Sequence, residues 1–165
     1  MYERYHHDVV GVNSRLDSIQ AAVLDAKLPH LDAYNRARRS SARKYNEAFK
    51  DHRNITIPSG NDSCEGICDT CDCHVFHQYT LKVKDVDRDG LVKHLNEKGI
   101  PCGVYYPIPL HLQKAYKDSR YNEADFKVSN QLVKEVISLP MHTELDEEQI
   151  EYITSTVINF LNSNG

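Results

Sequence analysis

The stretch GVNSRLDSIQAAVL, residues Gly11–Leu24, contains the start of the first predicted helix. Gln20 follows Asp17 by three residues, which is the spacing of a capping box with an aspartate in the N-cap role. The apolar residues that then recur at helical spacing are Ile19, Ala22, Val23 and Ala26. A polar Gly-Val-Asn-Ser-Arg run therefore leads directly into a helix, close to the first residue of the chain.

A second helix is predicted to follow at once, because Pro29 suits the first turn of a helix. It extends through the stretch that ends at Lys50. Its predicted buried stripe consists of Leu31, Tyr34, Ser41, Ala42, Tyr45 and Phe49. The charged residues that fall mostly off this stripe are Arg36, Arg39, Arg43 and Lys44, and we interpret them as a solvated face.

The second half of the chain alternates predicted strands and helices. Residues 74–83, HVFHQYTLKV, alternate in polarity and predict a strand with Val75, Tyr79, Leu81 and Val83 on one face. Residues 87–99 predict a short helix that Gly99 closes. A short strand near IPCGVYY, a helix that runs into a brief strand before Pro140, and a final helix entered through a second capping box complete the order. This order predicts an α+β fold.

Composition restricts the functional class only broadly. The 165 residues suit a single domain with a real core. The net charge of −4 gives no argument for binding to nucleic acid or to an anionic membrane. No apolar run reaches transmembrane length, and the first residues lack the apolar core of a signal peptide, so we expect a cytoplasmic protein.

Four of the five cysteines crowd one stretch, at Cys64, Cys68, Cys71 and Cys73. Thiolates are preferred zinc ligands, His74 follows directly, and a C-x2-C step suits tetrahedral coordination. Structural zinc usually draws on two separated ligand pairs, however, and here all the candidates lie in one short loop. Free thiols in a variable loop are therefore the favoured reading, and these cysteines stay weak metal candidates.

Asn13 and Arg15 lie just before a helix entrance, where backbone N–H groups and the helix dipole favour anions. An amide and a guanidinium at such a position could hold a phosphate. The alternative is that Asn13 stabilises the turn while Arg15 pairs with an acid such as Asp17. Spacing alone does not decide between these two readings.

Several blocks of the sequence together resemble one family. G-x-N-x-R-L-D-x-I-Q-A-A and Y-Y-P-x-P-L-H-x-Q are specific when they occur in this order, and HVFHQYTLKV and SLPMHTELDEEQIEYI accompany them. They resemble the C-terminal part of the DegT/StrS sugar aminotransferases, which are PLP-dependent enzymes of fold type I. The resemblance extends from about Tyr5 to Phe160.

The resemblance implies the small C-terminal domain of such an enzyme. We expect a small antiparallel or mixed sheet flanked by helices and preceded by a long helix pair. The implied division is a helical segment over residues 1–50 that links to a large domain, a variable Cys-rich loop over 51–74, and a small α+β domain over 75–165.

The resemblance also implies site residues. Asn13 matches the asparagine that reaches the PLP phosphate of the partner subunit, and Arg15 stands beside it in the motif. Tyr106 and His111 match the block that lines the sugar-nucleotide side of the active site. His7, with its neighbours Tyr5 and His6, matches a loop near the same cleft.

The Schiff-base lysine and the aspartate that pairs with the pyridine nitrogen belong, in the family, to a large N-terminal domain. We find no match to that domain here, so we expect a truncated member, either naturally short or cut. No catalytic residue is assigned to it, and we expect the isolated chain to bind no PLP and to be inactive.

The implied parent reaction moves an amino group from a glutamate-like donor to a keto-sugar nucleotide. Two alternatives stay open. The chain is a non-catalytic assembly module that forms a homo-oligomer or pairs with a full-length paralogue, or it is half of a split enzyme completed by a large-domain chain. A small zinc protein built around the cysteines is a third, less favoured hypothesis.

Overall fold

The computed structural model describes residues 4–58 and 74–164, with the side chain of residue 164 left aside. Within these residues the helices are α1 (Ser18–Lys27), α2 (Leu31–Phe49), α3 (Arg88–Glu97), α4 (Lys127–Glu135) and α5 (Glu147–Asn164). The strands are β1 (Ile55–Thr56), β2 (Tyr79–Val83) and β3 (Val136–Leu139). The expected helix pair is present, because a 3-10 turn over Leu28–His30 joins α1 to α2.

The three strands form one antiparallel sheet in the order β1-β2-β3. Ile55 lies opposite Val83, and Tyr79 lies opposite Leu139. A single bridge between Gly103 and Ser138 adds one further pairing beside β3. The prediction of an α+β fold with a small antiparallel sheet is therefore confirmed.

One hydrophobic core joins the sheet to α2, α3 and α5. Tyr45 and Tyr79 are fully buried at its centre, with ring centroids 4.7 Å apart. The Tyr45 hydroxyl donates to the Pro140 carbonyl at 3.0 Å, and the Tyr79 hydroxyl donates to Asn46 Oδ1 at 2.6 Å. Burial raises the pKa of both phenols well above its ordinary value, so both act only as neutral donors.

The predicted helix caps form as the sequence indicates. Asp17 Oδ1 accepts from the Gln20 backbone N–H at 2.8 Å. Asp146 and Gln149 exchange two bonds, at 2.8 and 3.1 Å, which completes a capping box at the entrance of α5. Gly99 closes α3 with φ of 75°, in the left-handed region where glycine is favoured.

The predicted strand over residues 74–83 is too long. The chain bends at Phe76, which has a φ of 48°, and β2 begins only at Tyr79. The bend breaks the alternation, so Phe76 is buried while Val75 is 43% exposed. Val75 therefore does not share the buried face of Tyr79, as the sequence pattern predicted.

Three further predictions about burial, all on α2, are wrong. Arg39 is buried rather than solvated, because it precedes Ala42 by three residues and shares that buried face of α2. Leu31 is 45% exposed, because the first turn of α2 follows the exposed α1 and lies outside the core. Tyr34 is half-buried rather than part of the core.

Two strand assignments also differ. The short strand β1 lies within a stretch that was predicted as loop. A strand of two residues shows no alternation in the sequence, and its partner β2 lies far along the chain. The predicted strand near residues 100–106 reduces to the single Gly103 bridge. Among the described residues, no helix combines the length and apolar character needed to cross a bilayer.

Candidate functional site

The N-terminal arm, residues 4–17, is fastened at its start to the loop of residues 105–116. Gln113, only 6% exposed, makes the fastening. Its Oε1 accepts from the His7 backbone N–H at 3.0 Å, and its Nε2 donates to the Tyr5 carbonyl at 2.7 Å. The Ala115 N–H donates to the His7 carbonyl at 2.9 Å. One buried amide therefore joins two segments more than 100 residues apart in the chain.

Three tyrosine rings meet beside this fastening. Tyr5 contacts Tyr105 and Tyr106 edge to face, with centroid distances of 6.2 and 5.5 Å. Tyr106 is nevertheless 61% exposed, so much of its ring and hydroxyl is open to a ligand. Two of the predicted substrate-binding residues lie at this junction, Tyr106 against the Tyr5 ring and His7 two residues further along the arm, and their role stays a prediction.

His111 lies two residues before Gln113 and is held by an aromatic stack. Its ring lies on Phe126 with centroids 4.2 Å apart and planes 12° from parallel. With Tyr121 it lines two cavities, of about 450 and 360 Å³. Its Nε2 is buried without a hydrogen-bond partner among the described residues. The third predicted substrate-binding residue is therefore a rigid part of a cavity wall.

Asn13 and Arg15 lie further along the arm, in the exposed stretch that precedes α1. They line neither cavity beside His111. Asp17, the alternative partner for Arg15, caps α1 instead. The two predicted phosphate ligands thus stand apart from His7, Tyr106 and His111 within this chain, and their assignment stays a prediction.

The arm and α1 are unusually apolar for an exposed surface. No residue of α1 is buried, and Val12 is 94% exposed. The large apolar side chains that are at least 45% exposed between residues 9 and 31 are Val9, Val10, Val12, Leu16, Ile19, Val23, Leu24, Leu28 and Leu31. Exposed apolar surface on this scale is typical of a surface that another protein segment covers.

A PLP site needs an activated lysine amine close to groups that bind the cofactor's phosphate. A nucleophilic lysine is normally activated by burial or by a neighbouring cation. Every lysine of this chain except the half-buried Lys82 is exposed, and Lys117, beside His111, shares its cavity with Asp118 and Glu123. With Asn13 and Arg15 outside that cavity, the residues described in this chain do not by themselves form a PLP pocket.

The weak metal candidates Cys64, Cys68, Cys71 and Cys73 lie outside the described residues. Within residues 4–58 and 74–164, no three His, Cys, Asp or Glu side chains are grouped so that they could hold a metal ion. Cys102 is half-buried and its thiol donates to the Val92 carbonyl at 3.7 Å. Burial raises the pKa of this thiol, which makes Cys102 a poor nucleophile.

Sequence reasoning did not single out Gln113 as a site residue. The one signal available was its place at the end of the Y-Y-P-x-P-L-H-x-Q block. A buried glutamine in an irregular loop leaves no periodic pattern. Its partners are backbone groups, which every residue has, so the sequence does not mark them.

The fold is one that PLP-dependent aminotransferases contain. A solved DegT DnrJ EryC1 StrS aminotransferase from Brucella abortus matches 96% of this chain with a TM-score of 0.74 and 37% identity, over 39% of its own length. Two solved structures that share the fold, a putative sugar aminotransferase of Streptococcus pneumoniae at 21% identity and NtdA of Bacillus subtilis at 24%, are in PLP and PMP form. The chain belongs to the DegT/DnrJ/EryC1/StrS aminotransferase family, whose sequence profile matches residues 1–158.

Two curated relatives show how the match is distributed. A pleiotropic regulatory protein of Geobacillus stearothermophilus is 39% identical over 95% of this chain and 40% of its own length. The UDP-N-acetyl-3-dehydro-alpha-D-glucosamine 3-aminotransferase of Acidithiobacillus ferrooxidans is 39% identical over 94% of this chain and 39% of its own length. The chain therefore spans about 40% of the length of the curated relatives that it matches.

Proposed function

We propose that this chain supplies the small-domain side of a site that transfers an amino group from a glutamate-like donor to a keto-sugar nucleotide. The observation that carries the proposal is that Gln113 anchors the arm at Tyr5 and His7 to the loop of residues 105–116, which contains Tyr106 and His111. Three side chains that the family resemblance assigns to the sugar-nucleotide side thus belong to one anchored unit. A related aminotransferase, that of A. ferrooxidans, is named for a UDP-sugar substrate.

In this proposal one group of residues contacts the substrate and another binds the PLP phosphate. Tyr106 offers an exposed phenol and His111 a fixed imidazole to the substrate, and His7 lies where the arm meets their loop. Asn13 and Arg15 serve the PLP phosphate in a neighbouring subunit or partner chain, since both are exposed on the arm. The amine that holds PLP comes from a part of the enzyme that resembles the family's large domain. The 165 residues alone neither bind PLP nor transaminate.

A direct assay tests the proposal. The chain alone, with PLP, L-glutamate and a UDP-3-keto sugar, should release no 2-oxoglutarate, and borohydride should trap no stoichiometric adduct on a lysine. Adding the part of the A. ferrooxidans relative that precedes its matched segment should restore release. Asn13→Ala should abolish this restored activity, whereas Asn159→Ala, at an exposed position of α5, should not. Keto-acid release by the chain alone, or restoration insensitive to Asn13→Ala, contradicts the proposal.

The exposed apolar arm favours a second candidate function, that of an assembly module. Val12 and Ile19 are 94% and 80% exposed, and covering them with another copy or a full-length paralogue would favour association by removing apolar surface from water. Sedimentation velocity should then show concentration-dependent association, which Val12→Ser with Ile19→Ser weakens. A clean monomer at high concentration excludes self-association and leaves only the paralogue as a partner.

A further inference from the structure

A third cavity, of about 520 Å³, adjoins the tyrosine cluster through Tyr105 but is lined by none of the predicted site residues. Its walls come from four separate parts of the chain: the start of the arm, the residues before β2, the loop before Tyr105, and the segment that follows β3. The volume is within the range of small-molecule sites. None of Asn13, Arg15, Tyr106, His111 or His7 lines it, and the function proposed above assigns it no role.

The polar lining of this cavity has one sign of charge. Arg4, His77 and His142 supply cationic or proton-donating groups, and Gln78 and Tyr105 supply neutral ones. Among the described residues that line the cavity, none is acidic. A guanidinium and two imidazoles, with no acidic group among the described lining residues, favour an anion over a cationic ligand.

Arg4 is available for such a ligand. Its guanidinium lies over the Tyr5 ring, 4.9 Å from the centroid, which orients the planar group. Within residues 4–58 and 74–164 no ion pair or hydrogen bond engages this guanidinium. The Tyr5 carbonyl accepts from Gln113, so the backbone next to Arg4 is anchored although the side chain is exposed.

His142 is also arranged as a donor. Its Nδ1 accepts from the Glu144 backbone N–H at 3.2 Å, which places the proton of the neutral ring on Nε2. The Glu144 carboxylate oxygen Oε2 lies 3.6 Å from His142 Nδ1, but Glu144 does not line the cavity. The hydrogen-bonding groups of the cavity wall therefore include the Arg4 guanidinium, which has no hydrogen-bond or ion-pair partner among residues 4–58 and 74–164, and the His142 imidazole, whose neutral form donates from Nε2 when Nδ1 accepts from Glu144.

We propose that this cavity is an anion site, in which Arg4 and His142 bind a carboxylate or phosphate group of a small ligand. The pairing of a guanidinium with an oxyanion gives charge-assisted hydrogen bonds in which two parallel N–H groups meet two oxygens. A dicarboxylate and a phosphate share this chemistry. The proposal goes beyond the amino-transfer function and does not depend on it.

Calorimetric titration of the full chain with glutarate, and separately with inorganic phosphate, tests the proposal. One anion should bind saturably with a stoichiometry of one, and Arg4→Gln and His142→Ala should each weaken that binding about tenfold or more. Lys93→Gln, which also removes one positive charge from an exposed position but on α3, should leave it unchanged. Both mutated positions are exposed, so circular dichroism should show an unchanged fold.

The two titrations also identify the ligand chemistry. Tighter binding of glutarate assigns the site to carboxylates, and tighter binding of phosphate assigns it to phosphoryl groups. The proposal is overturned if neither anion binds saturably, or if the Arg4 and His142 variants bind as well as the Lys93 variant. Because this measurement involves neither PLP nor amino transfer, its failure is distinct from a failure of the proposed function.

Discussion

Replacing Gln113 with methionine should detach the start of the arm while leaving the fold intact. Methionine keeps the length of the buried side chain but removes both polar groups. The His7 N–H then loses a 3.0 Å bond and the Tyr5 carbonyl a 2.7 Å bond. At about 1 kcal/mol for each bond, local opening becomes more favourable by about 2 kcal/mol, which is about a 30-fold increase in the opening equilibrium.

Native-state hydrogen exchange measures this opening directly. The Ala115 amide, which keeps its bond to the His7 carbonyl, should exchange about 30-fold faster in the variant, and the His7 amide, whose acceptor is removed, should lose its protection. Amides of β2 should keep their protection, since the core does not contain this loop. Gln131→Met is the matched control, because Gln131 is an exposed helical glutamine that bonds only Glu135.

A second variant of Gln113 separates the bond to the His7 N–H from the bond to the Tyr5 carbonyl. Gln113→Glu keeps an acceptor for the His7 N–H but replaces the donor to the Tyr5 carbonyl with an oxygen. In this variant the Tyr5 carbonyl has no donor at position 113, so the arm should open at Tyr5 at least as readily as in the methionine variant. If the His7 and Ala115 amides exchange at the wild-type rate in the methionine variant, Gln113 does not hold the arm and the reasoning is wrong.

Three further predictions concern stability and charge. Leu81→Ala, at a fully buried position of β2, should lower the free energy of unfolding by about 2–5 kcal/mol in urea denaturation. Gly99→Ala should cost about 1 kcal/mol in the same assay because its φ is 75°, whereas Gly11→Ala, with no atom near a new Cβ, should be neutral. The Lys44 amine, through its hydrogen bond and charge, holds the pKa of the Glu147 carboxyl below its usual value. The pair therefore stabilises the fold fully at pH values above the pKa that Glu147 has in the unfolded chain, and this stabilisation is lost as the pH falls through the pKa of Glu147 in the folded chain. Carbon-13 NMR titration should show the Glu147 pKa rising toward its usual value in Lys44→Gln.

Much of the fold could be predicted because its signals are local. The caps at Asp17 and Asp146 and the left-handed Gly99 each depend on residues within one or two turns. The apolar stripe of α2 is periodic, and its members Tyr45 and Phe49 are buried as predicted. Family membership was also readable, because it rests on ordered blocks of residue types rather than on geometry.

The predictions that failed depended on where the chain bends and on which helix face meets the core, and residue type shows neither. Phe76 rather than Val75 enters the core because the chain bends before β2, and alternation alone cannot reveal a bend. The charge of Arg39 suggested solvent, yet its position on α2 places it against the core.

Short-range patterns in the chain were enough to predict the family, the α+β class and the ends of the main helices. That Gln113 anchors the arm, and that Arg4 and His142 line one cavity with no acidic residue in its described lining, became visible only in the folded molecule. These groups lie more than 100 residues apart in the chain, and their meeting is set by packing around the common core. Packing free energy belongs to the whole set of contacts, so no local pattern carries it.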